Sequence, residues 1–295
     1  MLNSFVKVNS YKILLCHIHK IFSTIQQEYH MDDLQFRQLL DYFCYSWDGY
    51  KKVRKGVKKR ISRHMQKLGC RSVDEYCHIL ERNEGVRQQC ECLMTVSVSR
   101  FFRDRMLWKI IEDHIVPEIL SENREKVKFW DAGCACGEEV YSMKMLWETL
   151  SSQFDYMPNI EVWATDINPV YLRRAREGRY SISSIKEVEQ NLREIYFIFQ
   201  EDENVFRINP SLQTGIFWKV HNMLHNFEED NFHIIFLRNN LLTYYRDEIK
   251  RPAFQKVVNN LAHGGFLIIG SHEKLPFESN NCVPFHNQPF IFRKA

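Results

Sequence analysis

The sequence contains no apolar run long enough to cross a bilayer, which takes about 20 predominantly apolar residues. The apolar part of the N-terminal segment is interrupted by Lys12, His17, His19 and Lys20, so it lacks the continuous core of a secretory signal. Nine cysteines are scattered without a regular framework, which in a chain of 295 residues indicates reduced thiols. We therefore expect a globular, cytoplasmic protein without disulfide bonds.

The sequence also lacks a strong net charge. The formal value is only +3, which argues against a dedicated nucleic-acid-binding protein. The charge is unevenly distributed, however, because residues 51–67, KKVRKGVKKRISRHMQK, contain no acidic residue. Apolar residues recur there at spacings of three and four, which predicts a helix with one apolar and one basic face. The basic face fits an acidic partner, and a solvated surface helix is the alternative.

A clear helical pattern begins at Met31, a second methionine that we expect to be the natural start. We interpret residues 1–30 as an N-terminal extension of uncertain structure, with a short docking helix as the alternative. Helical periodicity continues over residues 31–95, which predicts a helical basic domain. Residues 96–125 follow as a linker and a helix that carry SVSRFFRD.

From residue 126 the periodicity changes. Short runs rich in β-branched and aromatic residues, namely VKFW, IEVWAT, FHIIFL and GGFLIIG, predict strands, and helical segments follow the first two. Strands that alternate with helices predict an α/β fold with a doubly wound parallel sheet over residues 126–295. Residues 178–221 interrupt this alternation, and YFIFQEDENVFRIN and GIFWKV within them predict a small antiparallel β-subdomain with a polar turn at EDEN.

The stretch FWDAGCACGEEVYS leads from the first strand of this sheet into a helix. Gly133 lets the chain turn tightly, and Gly137 is expected to let a ligand approach the helix start. The dinucleotide fingerprint G-x-G-x-x-G fails, because an alanine stands at its middle glycine and a glutamate at its last. The adjacent carboxylates Glu138 and Glu139 at a helix N-terminus disfavour a diphosphate and favour an ammonium or sulfonium group. The stretch therefore favours S-adenosylmethionine over a dinucleotide.

The second strand, IEVWATD, ends in Asp166, which is placed to accept both ribose hydroxyls of an adenosine. Other adenosine-binding proteins of this fold have the same feature, and an ordinary sheet with capped turns is the alternative for both motifs. Cys134 and Cys136 form one C-x-C pair, and a second occurs at residues 90–92. Ligand pairs of structural zinc sites usually have wider spacing, so we expect no metal and interpret these cysteines as small side chains in a crowded turn.

Several stretches together resemble the CheR-type chemoreceptor methyltransferases, which use S-adenosylmethionine to esterify receptor glutamates. The stretches, in chain order, are SVSRFFRD (97–104), AGCACGEEVYS (132–142), ATDINPVYLRRAREGRY (164–180), LRNNLLTYY (237–245) and GGFLIIGSHEKL (264–275). The resemblance runs from about Met31 to the end of the chain. It implies a small helical domain followed by a Rossmann-like methyltransferase domain that carries a β-subdomain.

The resemblance also implies the residues of the site. The implied cofactor-binding residues are Ser97, Ser99, Arg103, Gly133, Glu138, Glu139, Asp166, Asn222, Met223, Arg238 and Asn239. Among them, the two glutamates would meet the methionyl amino group, Asp166 the ribose, and Asn222 with Met223 the adenine. Arg103 would lie near the methionine moiety, and Arg238 with Asn239 beside the sulfonium. Without the resemblance, ordinary ion pairs are the simpler interpretation of both arginines.

Two positions depart from the family pattern. Ser97 and Ser99 stand where the family usually has Asn-x-Thr, and Thr243 stands where it has tyrosine in RN-x-x-x-Tyr. Tyr244 follows one place later. Either Tyr244 substitutes through a one-residue shift, or the substrate side of the pocket has changed.

Methyl transfer to a carboxylate needs no general base, because the nucleophile is already ionised. Alignment of oxygen, methyl and sulfur is the main requirement and contributes about 7 to 11 kcal/mol. Arg103, Arg238 and Tyr244 are the candidate catalytic residues, and either arginine could orient the acceptor carboxylate through a bidentate contact. The sequence shows no obvious Ser/His or Cys/His pair of the kind that nucleophilic catalysis uses, which is consistent with a site made of binding residues.

The resulting expectation is an S-adenosylmethionine-dependent protein-glutamate O-methyltransferase. Its partner would be an acidic helical region of a chemoreceptor or related signalling protein, contacted by the basic helix around Lys51 to Lys67. No membrane insertion is expected. A catalytically idle cofactor-binding or adaptor protein is the first alternative, motivated by Ser97 and Thr243. A nucleic-acid methyltransferase is the second, and the absence of an NPPY-like base-flipping sequence argues against it.

Overall fold

The computed structural model describes residues 30–97, 99–122, 124–275, 277 and 281–295. The predicted N-terminal extension, apart from His30, lies outside the described residues. The described chain divides into two compact units, the first made of residues 30–42 and 53–94 and the second of residues 43–52 and 95–295. Residues 43–52, which the helical pattern assigned to the basic domain, thus belong to the second unit.

The secondary-structure elements are numbered in chain order. The α-helices are α1 (Asp33–Tyr42), α2 (Trp47–Tyr50), α3 (Arg54–Lys67), α4 (Val73–Arg82), α5 (Glu84–Met94), α6 (Arg105–Ile110), α7 (Val116–Ser121), α8 (Glu138–Ser151), α9 (Pro169–Glu177), α10 (Gln190–Tyr196), α11 (Leu241–Tyr244) and α12 (Asp247–Asn259). The strands are β1 (Lys126–Ala132), β2 (Asn159–Asp166), β3 (Arg179–Tyr180), β4 (Phe197–Gln200), β5 (Val205–Ile208), β6 (Ile216–Val220), β7 (Phe232–Leu237), β8 (Leu261–Ile269), β9 (Cys282–Pro284) and β10 (Ile291–Lys294). A π-helical turn, Ile111–Ile115, joins α6 to α7.

Helix α3 of the first unit has the two faces that its periodicity predicts. Val57, Ile61 and Met65 are buried, at the four-residue spacing of one helix face. Lys59 and Arg63 are exposed on the other side. The amphipathic basic helix predicted for this segment is therefore confirmed.

The second unit is built on a seven-stranded sheet with the order β6-β2-β1-β7-β8-β10-β9. The first five strands are parallel, and β10 and β9 are antiparallel to their neighbours. Side chains of β1 alternate between the two faces, so Phe129 packs with α8 and Trp130 packs with α12. Apolar cores on both faces, with helices over the sheet, confirm the predicted doubly wound, Rossmann-like architecture.

The small β-subdomain is a three-stranded sheet with the order β3-β5-β4. Strands β4 and β5 form the predicted antiparallel hairpin, and its turn lies at Glu201–Glu203 and Asn204. The prediction for GIFWKV was wrong, because β6 joins the main sheet parallel to β2. The strand follows the 3₁₀ turn Pro210–Gln213, and the residue types of this five-residue strand do not record which strand it pairs with.

In the portion of the chain that the structure describes, no helix combines the length and the apolar character needed to cross a membrane.

Candidate functional site

The candidate site lies where the parallel strands β1, β2 and β7 end at the same edge of the sheet. The turn after β1 has left-handed backbone at Gly133, with φ +90°. A Cβ atom there would lie 2.3 Å from Nδ2 of Asn240, which donates a hydrogen bond to the Ala132 carbonyl. Glycine is therefore required for the close approach between the β1 turn and the loop after β7.

Gly137 has a packing role that the sequence did not suggest. It has φ +87° and immediately precedes α8. A Cβ atom would lie 3.0 Å from the Ala175 side chain and 3.0 Å from the Trp218 ring. The glycine allows α8 to pack closely against these side chains, and the ligand approach expected at its backbone stays a prediction.

Asp166 ends β2 with its side chain almost fully buried. Its Oδ2 accepts a hydrogen bond from the Ala135 backbone N at 3.0 Å, and its Oδ1 accepts one from the Asn168 N at 2.8 Å. Burial raises the pKa of this carboxyl to about 6 against the opposing effect of these two bonds. Each oxygen keeps acceptor capacity for a further donor, such as a ribose hydroxyl.

Glu138 and Glu139 begin α8. Burial raises the pKa of Glu138 to about 7, and a hydrogen bond with the Ser99 side chain opposes this effect. Its buried Oε2 has no hydrogen-bond partner among the described residues. Burial also raises the pKa of Glu139, while the positive charges of Arg238 and Arg103 act in the opposite direction. The helix start therefore presents an acidic and partly unsatisfied surface.

Arg238 follows β7 and has a side chain only 1% exposed. One terminal nitrogen donates to Glu139 Oε1 at 2.5 Å, and the other donates to Asp104 Oδ2. Both terminal nitrogens thus hold carboxylates of the protein. Of the two arginines that could orient the acceptor carboxylate, Arg238 is thus engaged by protein carboxylates, and it is the group that fixes Glu139.

The FFRD loop is held from two sides. Phe101 is buried between the rings of Tyr180 and Phe197, at centroid distances of 4.7 and 5.2 Å. The backbone of Arg103 accepts a hydrogen bond from Trp108 Nε1 at 2.9 Å. Since Phe102 and Asp104 both have positive φ, these contacts hold a loop that its residue types do not favour. The loop thereby brings Arg103 within electrostatic reach of Glu139.

The loop after β7 is organised by Glu273, a buried carboxylate that the sequence analysis did not single out. It accepts hydrogen bonds from Asn239 N at 2.8 Å, from Gly270 N at 2.7 Å and from Thr243 Oγ1 at 2.5 Å. Thr243 therefore directs its hydroxyl to a structural partner. Glu273 lies within the motif GSHEKL and Asp104 within FFRD. Both motifs were recognised in the sequence, but no role was assigned to these two residues.

Tyr244 lies beside this loop and is partly buried. Burial raises its pKa to about 12; the Glu273 charge raises it further, and the Arg103 charge opposes this. The phenol therefore stays protonated near neutral pH and can donate a hydrogen bond. The Arg103 charge acts on the Tyr244 phenol, so the two groups lie within electrostatic reach of each other, whereas the Thr243 hydroxyl points to Glu273.

The remaining predicted residues lie at the rim. Ser97 Oγ is 3.6 Å from Cys136 Sγ. Asn222 follows His221, whose backbone N donates a hydrogen bond to the Asp166 carbonyl. The Asn222 side chain accepts a hydrogen bond from Leu224 N. Met223 packs partly buried against the core that contains α12. The structure thus brings the Asn222 loop beside the end of β2.

Metal ligands were not expected at this edge. In the ranges that the structure covers, no group of three or more histidine, cysteine or acidic side chains could hold a metal ion. The eight cysteines within those ranges are free thiols.

The side chains at this edge fit a ligand with a cationic amino-acid end. Besides Glu138 Oε2, the buried Asp131 Oδ2 has no hydrogen-bond partner in the described part of the chain. Burial raises the pKa of Asp131 well above its ordinary value, with the Glu139 charge as the next cause. Unsatisfied buried acceptors are costly, and an ammonium group would satisfy them.

Comparisons with known proteins agree with this geometry. The family described as CheR methyltransferase, SAM binding domain, matches residues 97–290. The chain is 31% identical over 219 residues to the chemotaxis protein methyltransferases of Listeria innocua and Listeria monocytogenes, and each alignment covers 74% of this chain and 81% of the relative. It is 25% identical over 265 residues to chemotaxis protein methyltransferase Cher2 of Pseudomonas putida, covering 88% of this chain and 94% of that protein.

The matched region contains β1, β2, β7 and the acidic start of α8, which form the candidate site. The predicted cofactor, S-adenosylmethionine, is thereby confirmed. The chain belongs to the CheR family of S-adenosylmethionine-dependent methyltransferases.

Proposed function

We propose that this methyltransferase transfers the methyl group to glutamate carboxylates of a chemoreceptor-like signalling protein. The observation that carries the proposal is that Arg103 lies within electrostatic reach of both Glu139, at the start of α8, and the Tyr244 phenol. Arg103 and Tyr244 suit an anionic acceptor, because one supplies positive charge and the other a hydrogen-bond donor. The relatives described above are chemotaxis protein methyltransferases, which supports the same class of substrate.

The residues divide the work between cofactor and acceptor. Bound S-adenosylmethionine supplies a methyl group on a cationic sulfur. Asp166 holds the ribose hydroxyls, and Glu138 with Glu139 holds the methionyl ammonium. Arg238 keeps Glu139 in place through their ion pair.

Arg103 orients the acceptor carboxylate, and Tyr244 donates a hydrogen bond to it. The acceptor is already ionised, so neither residue has to remove a proton. Alignment of this kind contributes about 7 to 11 kcal/mol in well-oriented reactions. Asn222 and Met223 flank the adenine. The cofactor pocket is completed by Ser97, Ser99, Gly133 and Asn239.

The basic helix α3 supplies the surface for an acidic partner. Arg54 and Lys58 both pair with Asp33, at 3.1 and 2.6 Å, so their charges are largely satisfied within the first unit. Lys59 and Arg63 are exposed at four-residue spacing, with Lys55 one turn before them. This cationic stripe, Lys55, Lys59 and Arg63, suits an acidic helix that carries methyl-accepting glutamates.

A transfer assay tests the proposal. The protein is incubated with methyl-labelled S-adenosylmethionine and a cytoplasmic chemoreceptor fragment, and the product is treated with base. A glutamate methyl ester releases labelled methanol, whereas methylated nitrogen does not. Label that enters RNA would favour a nucleic-acid methyltransferase, and cofactor binding without transfer would favour an idle adaptor; either result contradicts the proposal.

A further inference from the structure

Residues 43–52 interrupt the sequence of the helical unit and pack instead against the end of α11. Backbone hydrogen bonds join the two on both sides of Tyr245. Ser46 N donates to the Tyr244 carbonyl at 2.8 Å, and Arg246 N donates to the Cys44 carbonyl at 2.9 Å. Tyr45 and Tyr245 form an antiparallel bridge between them. The segment therefore pairs with residues 244–246 as a short strand would.

Gly49 allows the closest part of this contact. A Cβ atom at Gly49 would lie 2.2 Å from the Thr243 carbonyl oxygen and 3.2 Å from the Tyr244 Cα. Both of these neighbours are backbone atoms, so a side chain at residue 49 would have to displace α11. Gly49 thus sets the distance between the 43–52 segment and the backbone of Tyr244.

Tyr50 packs against the side chain of Tyr244. The Tyr50 side chain is 2% exposed, and its ring centroid lies 4.8 Å from that of Tyr244, with the rings tilted by 53°. Helix α11 is only four residues long, and a single helical turn is not stable without packing. The position of Tyr244 therefore depends on contacts from outside α11.

We propose that the 43–52 segment is a positioning element for methyl transfer, in which Gly49 and Tyr50 act through Tyr244 to hold its hydroxyl at the acceptor side. The inference rests on the proposed function, in which Tyr244 contacts the acceptor carboxylate. The contacts described above join this segment to residues 243–246, whereas the turn after β1 contacts Asn240. We therefore expect a stronger effect on methyl transfer than on cofactor binding.

Two variants test the positioning role. Gly49→Ala introduces the clash with α11, and Tyr50→Leu removes the ring contact without adding a clash. Each should lower kcat by about 10- to 100-fold, and the Kd for S-adenosylmethionine should change by a much smaller factor. Gly56→Ala is the matched control, since Gly56 is exposed in α3 and the nearest atom to a Cβ there is 3.8 Å away. The control should keep the wild-type kcat.

A double-mutant cycle separates positioning from general damage. If Gly49 and Tyr50 act through Tyr244, then Gly49→Ala and Tyr50→Leu should lower kcat by less than threefold in a Tyr244→Phe background. Full, multiplicative losses in that background would overturn the inference, as would a wild-type kcat in both single variants. Neither of these results would affect the proposed function.

A second measurement decides the inference without using methyl transfer. Hydrogen exchange of the backbone amides of residues 241–246 should become faster in Gly49→Ala, while exchange in β1 stays as in the wild type. Unchanged exchange in residues 241–246 would overturn the positioning role even if the wild-type protein methylated no carboxylate. Failure of the wild type in the transfer assay would instead count against the proposed function.

Discussion

Replacing Glu138 by glutamine removes a carboxyl group that is unfavourable to ionise in the folded protein. Its pKa of about 7 lies above the ordinary value of 4.5, chiefly because of burial. At about 1.4 kcal/mol per pH unit, this difference amounts to about 3 kcal/mol of folding free energy. Because the folded-state pKa is raised, this contribution is fully present below pH 4.5 and is lost as the pH rises through about 7.

The wild-type protein without cofactor should therefore lose about 2 to 3 kcal/mol more stability than Glu138→Gln between pH 5 and pH 8. Urea unfolding of both proteins at several pH values measures this difference. Glu189→Gln is the control, because the Glu189 side chain is exposed. Parallel stability curves for the wild type and Glu138→Gln would refute the assignment of a buried, unsatisfied carboxyl to this residue.

Asp166→Ala should weaken S-adenosylmethionine binding by at least about tenfold, since hydrogen bonds to a charged acceptor contribute about 1.5 to 3 kcal/mol. Calorimetry measures the affinity, and Asp155→Ala, at an exposed residue, is the control. An unchanged affinity in Asp166→Ala would exclude Asp166 from the pocket. Charge reversal of Lys59 and Arg63 together should raise the KM for the receptor fragment several-fold, more at low salt, and leave cofactor affinity intact. An equal effect from Lys186→Glu, an exposed charge of the second unit, would count against a specific role of α3.

The parts of the fold that sequence could predict are those determined by residues close together in the chain. The short runs rich in β-branched and aromatic residues predicted β1 and β2, and the glycine turn with Glu138 at the next helix start indicated a ligand at this edge of the sheet. Periodicity also predicted the buried face of α3. Each of these features depends on a window of fewer than about 20 residues, within which pattern and structure correspond directly.

The contacts that sequence could not predict join distant residues. Arg238 reaches Glu139 across 99 positions and Asp104 across 134, and no local pattern records that both carboxylates meet one guanidinium. Similarly, the residue types of GIFWKV predict a strand but not its neighbour, and only the fold shows that this strand pairs with β2. Gly49 packs against α11, although the sequence on either side of residues 43–52 belongs to the helical unit. The local helical pattern does not record this contact.

The departures from the family pattern acquire a physical meaning at the acceptor side. Thr243 cannot replace the phenol of a tyrosine, because its short side chain donates to Glu273. Tyr244, one residue later, carries a phenol with a raised pKa near Arg103. Of the two explanations left open by the sequence, these positions favour the one-residue shift, and Tyr244→Phe in the transfer assay measures its contribution.

The central claim is that the methyl group is transferred to a glutamate carboxyl of a receptor-like protein. Mass spectrometry of the receptor fragment after incubation with S-adenosylmethionine tests it most directly. We expect one added methyl per modified glutamate, lost when that glutamate is replaced by alanine and reduced, at a subsaturating concentration of S-adenosylmethionine, when the enzyme carries Asp166→Ala. A methyl group on lysine or arginine, or an unmodified fragment despite tight cofactor binding, would contradict it.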